Sequence, residues 1–445
     1  MQGAGAAGPP ARTRPSLPVT ILLIVLLGGS AGAEDWPQFR GPTGQGYSAE
    51  SGLPLEWSES RNLVWKVPVA GGWSSPVVAE GRVWVTTTVD AREGGGRRLA
   101  VSLRAVSLDA ATGRELVNVE VFRVENAGPI NEKNSRASPT PIVDGDRVYV
   151  HFGADGTAAL TTDGKILWTT RLPYESQHGN GGSPVLYRDL LIVNCDGWGD
   201  EAYVVALDTK TGKTRWKTPR RRPWSHAYST PLLIREGEDD QVVSIGAYRA
   251  TAYEPLTGRE IWRVSYGEGF SNVPRPVFGQ GLVYLATGFQ VPSLIAVRAD
   301  GRGDVTRTHV AWTLTRGAPY TPSPVLVGDE LYYLSDTGVL SCVDAKSGQM
   351  LWQQRLGGNY SASPVFADGR IYALSEEGMT TVFLPGKQFR SLAVNRLDGT
   401  TLASMAVSSG AFFIRSHTHV YRIGARVPDP ESRVPSPGSR VPDPE

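Results

Sequence analysis

Short runs of β-branched and aromatic residues, separated by turn residues, recur along most of the chain. In one copy, apolar runs beginning at Val365 and ending at Leu374 flank the pair Asp368-Gly369. A turn pair of this kind between two β-rich runs is typical of a β-hairpin. The hydrophobic pattern therefore predicts an all-β chain built from repeated hairpins.

A Ser/Thr-Pro-like pair opens each repeat and sets its period. The pairs are Ser75-Pro76, Thr140-Pro141, Ser183-Pro184, Thr230-Pro231, Arg275-Pro276, Ser323-Pro324, Ser363-Pro364 and Ser404-Met405. Most are spaced by forty-odd residues, a period typical of propeller blades that contain several strands each. Proline is tolerated at the start of the first strand if that strand lines the channel and lacks a neighbour on one side.

A second pattern marks the outer strand of each blade. Asp208, Thr211-Gly212 and Trp216 recur with the same spacing as Glu254, Thr257-Gly258 and Trp262. The acid caps the turn, the glycine supplies a positive φ, and a buried indole can pack between neighbouring blades. The predicted blade-docking residues are Trp65, Trp168, Trp216, Trp262, Trp312 and Trp352, with Val117 and Phe389 at the degenerate copies.

The two ends of the repeat region complement each other. Trp65 precedes the first Ser-Pro strand, whereas the last unit has inner strands and no outer one. A strand at residues 63–69 that completes the last blade closes the ring and removes both sheet edges. We therefore predict an eight-bladed β-propeller of four-stranded antiparallel blades over residues 63–424. Residues 34–62 are predicted to wrap one surface, and the Pro-rich tail 425–445 to be disordered.

The first 33 residues are predicted to be a signal peptide. Arg12 and Arg14 precede an apolar stretch that is short for a membrane span, and Ala31-Gly32-Ala33 fits a cleavage site. No cysteine near that site is available for a lipid anchor. We expect an exported protein, periplasmic or extracellular and at most peripheral to the cell envelope.

Charge and cysteine content narrow the possible partners. A formal net charge of +1 argues against a nucleic-acid partner, which usually leaves a basic footprint. Cys195 and Cys342 are the only cysteines, and they fall in the third and sixth predicted blades, too far apart for a disulfide. We expect both cysteines to be buried and to behave as small hydrophobic residues. Separately, we expect the protein to be a monomer.

The pattern at residues 206–216 resembles the repeat of quinoprotein dehydrogenases and of BamB, the propeller subunit of the outer-membrane β-barrel assembly machinery. The opening residues Asp35 to Pro42 are similar to secreted PQQ-binding-like β-propeller repeat proteins. The resemblance implies the propeller fold over about residues 63–424. Two features depart from it: quinoprotein alcohol dehydrogenases typically carry adjacent disulfide-bonded cysteines, and BamB proteins are lipoproteins. This chain has neither a Cys-Cys pair nor a lipid-attachment cysteine.

The loops between blades, and those between the second and third strands, emerge on one face of a propeller. Here they are rich in the aromatic and polar residues that recognition surfaces favour. We expect this funnel face to bind a partner or ligand through Trp73, Arg136, His178, Asn180, Trp224, His226, Tyr228, Asn272, Arg275, Tyr320, Asn359 and Tyr360. The alternative is that some of these residues only pack the blade junctions.

Metal sites are not expected. Asp196 and Asp200, on a glycine-rich loop, are the candidate Ca²⁺ ligands, but their spacing does not match an EF-hand. His417 and His419 alternate as on a strand, which would place both rings on one side, but Zn²⁺ needs further ligands and none is identifiable. A structural role is favoured for both pairs.

Three function classes remain open. The leading hypothesis is an exported binding or scaffold propeller that recognises a protein, peptide or small ligand, in envelope protein assembly. The resemblance also implies a quinone-dependent oxidoreductase with pyrroloquinoline quinone (PQQ) and Ca²⁺, for which Trp73, Arg275 and Tyr360 would be the first residues to inspect. The third class is a purely structural scaffold, in which the docking residue Trp216 matters and the funnel face does not.

Overall fold

A computed structural model describes Gly3 and residues 34–91, 100–197, 202–220 and 225–425. The chain divides into two units, Met1–Gly32 and Ala33–Glu445. Apart from Gly3, the predicted signal peptide lies outside the described residues, as does the predicted tail apart from residue 425. Everything below concerns the second unit. In the part of the chain that is described, no helix is long and apolar enough to cross a membrane.

The predicted eight-bladed β-propeller is confirmed: the described residues form eight sheets, one for each blade. The chain's first strand, β1 (Leu63–Pro68), belongs to the last blade. From the channel outwards, blade 1 consists of β2 (Val77–Ala79), β3 (Arg82–Ala91), β4 (Ala100–Asp109) and β5 (Glu115–Val124), and blade 2 of β6 (Ile142–Asp144), β7 (Arg147–His151), β8 (Thr157–Thr161) and β9 (Ile166–Thr170). Blade 3 consists of β10 (Val185–Tyr187), β11 (Leu190–Cys195), β12 (Tyr203–Asp208) and β13 (Thr214–Pro219), and blade 4 of β14 (Leu232–Glu236), β15 (Asp239–Ile245), β16 (Arg249–Tyr253) and β17 (Glu260–Ser265).

The remaining four blades continue in the same order. Blade 5 consists of β18 (Val277–Gly279), β19 (Leu282–Ala286), β20 (Leu294–Arg298) and β22 (Val310–Leu314), and blade 6 of β23 (Val325–Val327), β24 (Glu330–Leu334), β25 (Val339–Asp344) and β26 (Met350–Arg355). Blade 7 consists of β27 (Val365–Ala367), β28 (Arg370–Leu374), β29 (Met379–Leu384) and β30 (Arg390–Arg396), and blade 8 of β31 (Ala406–Ser408), β32 (Ala411–Arg415) and β33 (His419–Gly424), with β1 as its outermost strand. The short strand β21 (Gly303–Asp304), which the repeat does not predict, pairs parallel with β17 and adds a fifth strand to blade 4. A 3₁₀ turn spans Gly153–Asp155.

Each innermost strand begins immediately after the position of the predicted proline or its replacement, as at Pro76 and Val77. The innermost strands of neighbouring blades contact one another around the axis. Because each innermost strand follows its proline or replacement directly, the predicted position of this proline at the channel wall is confirmed. The second and third strands of each blade carry the largest share of buried apolar residues; β11, the second strand of blade 3, is buried along its whole length.

The six predicted docking tryptophans all lie in the fourth strand of a blade, counted from the channel. Five of them donate the indole N–H to a backbone carbonyl of the following blade: Trp65 to Ala110 at 3.1 Å, Trp168 to Thr209 at 2.9 Å, Trp216 to Pro255 at 2.8 Å, Trp312 to Ala345 at 3.0 Å and Trp352 to Gly386 at 2.9 Å. These residues therefore join successive blades by both packing and hydrogen bonding.

The sixth tryptophan, Trp262, makes the same connection through an intermediary. Its indole N–H donates to Oε1 of Gln241 at 2.8 Å, and Nε2 of Gln241 donates to the Ala299 carbonyl of blade 5 at 3.1 Å. Both Trp262 and Gln241 are fully buried. Gln241 thus relays the connection between blades 4 and 5.

In blade 7 the structure corrects the predicted docking residue, the outer-strand residue that takes the place of the tryptophan. In this blade Val382 pairs with Ala393 just before the β-bulge, the place where Ala206 pairs with Trp216 in blade 3. Ala393 therefore occupies the docking position, and the assignment of Phe389 to it is wrong. Phe389 instead packs beside Trp352 of blade 6, with ring centroids 5.4 Å apart. The path from the paired residue of the third strand to the docking position is one residue longer in blade 7, from Val382 to Ala393, than in blade 3, from Ala206 to Trp216, so counting residues from the turn misplaced the position.

Strand β1 closes the ring by pairing antiparallel with β33, from Leu63 opposite Ile423 to Pro68 opposite His419. Trp65 of β1 is buried and contacts the ring of Phe413 at 6.0 Å. The last blade thus receives its outer strand from the beginning of the propeller.

Residues 34–62, the N-terminal segment, cross the channel axis. The Trp36 N–H donates to the Val78 carbonyl of blade 1 at 2.6 Å, and Phe278 of blade 5 donates its N–H to Gln45 Oε1 at 2.6 Å. On blade 7, Phe366 donates to the Gly46 carbonyl at 2.8 Å. Each contact lies on an innermost strand, so the segment closes one end of the channel.

The two cysteines are free and buried, Cys195 in blade 3 and Cys342 in blade 6. The predictions of their blades and of no disulfide between them are confirmed. Burial raises the pKa of the Cys342 thiol to about 12, so this thiol stays protonated at neutral pH and behaves as a small apolar side chain.

Candidate functional site

The channel holds a cavity of about 720 Å³ that opens among the inter-blade loops. A volume of this size suits a small ligand or a short peptide segment. Its wall is formed by residues at the entrance of the innermost strands, and Phe39 of the N-terminal segment also lines it. The site is therefore built by nearly every blade together with a residue from outside the repeats.

A ring of hydroxyl groups forms the wall. Each backbone N–H donates to the hydroxyl of the next blade: Ser75 to Thr140 at 3.0 Å, Thr140 to Ser183 at 2.8 Å, Ser183 to Thr230 at 2.9 Å, Arg275 to Ser323 at 2.9 Å, Ser323 to Ser363 at 3.0 Å, Ser363 to Ser404 at 2.9 Å and Ser404 to Ser75 at 3.1 Å. We call these seven hydroxyl residues the hydroxyl ring. All seven line the cavity. The missing link is at Arg275, which has no hydroxyl.

Two buried guanidinium groups lie behind the closed end of the cavity. Arg275 donates from Nη1 to the Phe39 carbonyl at 2.6 Å and from Nε to the Pro231 carbonyl at 3.0 Å. Arg40 donates to the carbonyls of Ser323 at 3.3 Å and Pro324 at 2.6 Å. Both side chains are almost fully buried, and burial lowers the pKa of each to about 9. At neutral pH both remain charged.

Aromatic rings surround the mouth of the cavity. Trp73, His178, Tyr228, Phe270, Phe289 and Tyr320 all line it. Phe270 and Phe289 meet edge to face with centroids 5.6 Å apart, and Phe289 is 55 % exposed. Trp73 packs on His417 at 5.0 Å. Rings that present both faces and edges at an open mouth are common in recognition surfaces.

The structure brings four of the sequence-predicted residues to the cavity: Trp73, His178, Tyr228 and Tyr320. Trp224 lies outside the described residues. The other seven do not line the cavity: Arg136, Asn180, His226, Asn272, Arg275, Asn359 and Tyr360. The three residues proposed for a quinone site are separated, because Trp73 lines the cavity, Arg275 lies behind its end, and Tyr360 is buried in a hydrophobic cluster of blades 6 and 7.

Most of the residues away from the cavity hold loops in place. Arg136 pairs with Asp155 at 3.0 Å, and the amide of Asn180 donates to the Gly182 carbonyl at 3.4 Å. Asn272 is fully buried and donates to the Gly246 carbonyl at 2.7 Å. Glu377 holds Asn359 by accepting its backbone N–H at 3.1 Å and its side-chain amide at 3.4 Å.

His226 forms a second layer behind the mouth. Its ring is 5.2 Å from that of His178 and 5.6 Å from that of Phe270. Burial, followed by the neighbouring His178, lowers the pKa of His226 to about 4. The imidazole is therefore neutral at physiological pH and supports the aromatic wall by packing.

The candidate Ca²⁺ ligands are not assembled into a site in the described structure. Asp196 is buried and forms an ion pair with Arg220, and burial, against the opposing effect of Arg220, raises the pKa of Asp196 to about 6. Asp200 lies outside the described residues. Within the described ranges, no group of three His, Cys, Asp or Glu side chains could hold a metal ion. His417 lies in the bend before β33 rather than on a strand, so its predicted alternation with His419 is wrong.

PQQ with Ca²⁺, which the family resemblance implies, can be tested against the cavity wall. Ca²⁺ binds oxygen ligands among which carboxylates are prominent. The cavity residues that the structure describes include no Asp or Glu, and Asp196 is occupied by Arg220. The donor set of this cavity therefore does not fit a Ca²⁺-dependent quinone.

Two features of the site were not predicted from the sequence. The hydroxyl residue before each proline was read as a mark of the repeat, although its recurrence in seven of eight copies is the signal that could have shown the ring. Phe39 and Arg40 lie in a segment that was expected only to wrap the surface. Their Pro/Gly-rich surroundings gave no sign that the segment crosses the channel.

A protein-family model described as "Outer membrane protein assembly factor BamB" matches residues 56–243 and 293–420. The chain is 32 % identical over 238 residues to BamB of Burkholderia pseudomallei, covering 49 % of this chain and 56 % of that protein. It is 24 % identical over 297 residues to the dehydrogenase subunit of the quinone alcohol dehydrogenase of Gluconobacter oxydans, covering 62 % of this chain and 35 % of that protein. The matches thus span about half of one relative and about a third of the other.

Solved structures share the fold. BamB from Moraxella catarrhalis superposes with a TM-score of 0.52 at 14 % identity, covering 81 % of this chain and 99 % of that one. A europium-containing methanol dehydrogenase gives 0.51 at 14 % identity, covering 79 % and 89 %. At such identities these likenesses concern the fold alone.

Proposed function

Because this chain belongs to the family described as outer membrane protein assembly factor BamB, we propose that it is an exported recognition propeller. It binds a protein, peptide or small ligand at the mouth of the funnel cavity and takes part in protein assembly in the cell envelope. The periplasmic or extracellular location and the envelope partner belong to this proposal, as does the expectation of a monomer without a nucleic-acid partner.

The observation that carries the proposal is the chemistry of the cavity wall. Its described residues combine a hydroxyl ring with an aromatic mouth and contain no Asp, Glu or Cys. The one histidine among them, His178, has its ring against His226 and Tyr228 and makes no hydrogen bond to a wall hydroxyl in the described structure. The wall hydroxyl of Ser361 has a carboxylate partner, Glu376, at 2.6 Å, but that carboxylate is already paired with Lys133 at 2.9 Å. Hydroxyl donors beside aromatic rings suit the recognition of a ligand.

Site-specific photo-crosslinking in the cell envelope tests the recognition role. A photoreactive phenylalanine at Tyr320, which lines the mouth, should capture a discrete partner. The matched control is Leu256, which is 48 % exposed and lies on the outer turn of blade 4. Equal capture at both positions, or none at Tyr320, would contradict a partner site at the mouth.

A quinone-dependent oxidoreductase is the second candidate function, since two curated relatives are dehydrogenase subunits of quinone alcohol dehydrogenases. Calorimetric titration of the purified chain with PQQ, with and without Ca²⁺, separates the two candidates. We expect no saturable binding that depends on Ca²⁺, because the described cavity wall offers no carboxylate to the ion. Saturable binding that requires Ca²⁺ would favour the oxidoreductase and justify a search for its alcohol substrate, whereas binding without Ca²⁺ would show only that the cavity accepts an anionic ligand.

A further inference from the structure

The hydrogen bonds of the hydroxyl ring leave its protons available. Each of the seven hydroxyl oxygens accepts a backbone N–H from the preceding blade. None of them donates to another described group, and all seven face the same cavity. Accepting a hydrogen bond polarises a hydroxyl and makes it a better donor. The ring therefore presents several O–H donors that converge on the space between them.

The charges near the closed end have one sign. Arg40 and Arg275 are buried, and among the described residues their hydrogen-bond acceptors are carbonyl oxygens. Arg275 donates to Phe39, which lines the cavity, and Arg40 donates to Ser323 of the hydroxyl ring. A buried charge is normally balanced by an opposite one. Here no described carboxylate faces either guanidinium, so the cavity end carries an uncompensated positive field.

The mouth adds one more cation and an apolar surface. Lys133 lines the cavity and its Nζ lies 2.9 Å from Glu376 Oε1, so its charge is already shared with a carboxylate. Phe270 and Phe289 provide the apolar side of the mouth. The positive field therefore belongs mainly to the closed end, and the apolar surface to the opening.

We infer that the cavity takes a ligand that carries an anionic, acceptor-rich group, such as a carboxylate, sulfonate or phosphate, on an apolar body. The anionic group accepts hydrogen bonds from the hydroxyl ring near the two guanidinium groups, and the apolar body lies against the aromatic mouth. A neutral polyol would also satisfy the hydroxyls, but it would leave the buried positive charges without a counter-charge. This inference rests on the proposed recognition function and specifies its ligand class.

A matched pair of fluorescent probes tests the inference on the full chain. Anilinonaphthalene sulfonate carries an anionic group, and phenylnaphthylamine has the same ring skeleton without it. We expect the sulfonate to bind at least tenfold more tightly, and added salt to weaken only the sulfonate, because salt screens charge interactions. A free tripeptide ending in phenylalanine and its C-terminal amide repeat the comparison for a carboxylate on a peptide.

Variants of the hydroxyl ring locate the binding site. Thr140→Val and Thr230→Val each remove one donor with little change of shape, and each should weaken sulfonate binding about tenfold, the effect of a hydrogen bond to a charged group. Thr140→Ser keeps the hydroxyl and should keep the affinity. The control Thr380→Val removes a buried hydroxyl of blade 7 that does not line the cavity, and thermal unfolding checks that every variant folds.

The possible outcomes separate this inference from the function on which it rests. Equal affinity for the two probes, or unchanged sulfonate affinity in the Thr140→Val and Thr230→Val variants, overturns the anionic ligand class. If no probe or peptide binds while crosslinking at Tyr320 captures a partner, the ligand class falls and the recognition function stands. If crosslinking at Tyr320 also fails, both fall.

Discussion

At the scale of single residues, Gly258 shows how tightly the blades are packed. Its backbone has φ +69°, and a Cβ atom placed there would lie 2.4 Å from Cε3 of Trp216 in the neighbouring blade. Gly369 has nearly the same backbone, φ +70°, but nothing lies within 4 Å of its Cβ position. The two glycines therefore separate the effect of backbone conformation from that of close packing.

We predict that Gly258→Ala destabilises the protein more than Gly369→Ala. Both changes carry the strain of a positive φ, of the order of 1 kcal/mol. Gly258→Ala also forces a methyl group into the docked indole, which should add roughly 1–3 kcal/mol. Urea unfolding of the two variants measures the difference, and equal losses in the free energy of unfolding would mean that the indole yields without cost.

His151 is a buried titratable residue that the proposed function does not use. It is fully buried, and its Nδ1 lies 2.8 Å from Thr157 Oγ1. Burial lowers the pKa of His151 to about 3. The native state therefore keeps this imidazole neutral through the pH range in which an unfolded histidine takes up a proton.

We predict that His151 makes the folded state less stable on acidification. Its folded pKa lies below the unfolded value of about 6.5. Below that pH the unfolded chain binds a proton that the native chain does not, so stability is lost as pH falls from about 6.5 towards 3. In His151→Leu the free energy of unfolding should fall less steeply with pH, by up to about 1.4 kcal/mol per unit. Parallel curves for parent and variant, from urea titrations at several pH values, would contradict this.

At the scale of elements, Gln241 is the exceptional junction between blades. Its side-chain oxygen accepts a hydrogen bond from the Trp262 indole N–H, and its side-chain nitrogen donates one to the Ala299 carbonyl. We predict that Gln241→Met, which has a similar shape, leaves both groups buried and unpaired, with a loss of roughly 1–3 kcal/mol for each.

The matched control for this junction is Gln280→Met. Gln280 also bonds to the next blade, to the Gly328 carbonyl at 3.0 Å, but this hydrogen bond is exposed. Because water can replace the lost partner, we expect a small effect. The midpoint of thermal unfolding should therefore be clearly lower for Gln241→Met than for Gln280→Met. Equal midpoints would contradict the role of Gln241 in connecting blades 4 and 5.

The elements also show what the sequence could and could not predict. Period, hairpins, docking tryptophans and ring closure all follow from local patterns, and the fold they predict is confirmed. Phe389 was misplaced because the stretch from Val382 to Ala393 is one residue longer than the equivalent stretch in blade 3, and no tryptophan marks the docking position of this blade. The grouping of Trp73 with Tyr228, and of Arg40 with Arg275, depends on how distant loops and the N-terminal segment meet around the axis, which residue spacing does not encode.

At the scale of the whole molecule, stability depends on the strand that closes the ring. We predict that a chain beginning at residue 63 keeps a closed propeller, whereas one beginning at residue 70 lacks β1 and leaves β33 as an open edge. An unpaired edge favours association with other chains. Light scattering after size exclusion should show a monomer for the first and larger species for the second.

The comparison between the two truncations isolates seven residues, because both lack the N-terminal segment. Thermal unfolding should show a lower midpoint for the shorter chain, since Trp65 and its bond to Ala110 are lost with β1. Identical midpoints and masses would show that blades 1 and 8 hold the ring closed without this strand.

The pairing of β1 with β33 also imposes an order of events on folding. Blades 1 to 7 draw their strands from consecutive stretches, apart from the added strand β21, and can assemble as those stretches become available. The final blade must wait, because its outer strand β1 precedes every other described strand of the propeller in the chain and the partner of β1, β33, follows them all. Long-range pairings of this kind form slowly. Until β33 is made, the strand that carries Trp65 has no partner, so a nascent chain that already holds blades 1 to 7 still depends on a chaperone to shield this strand.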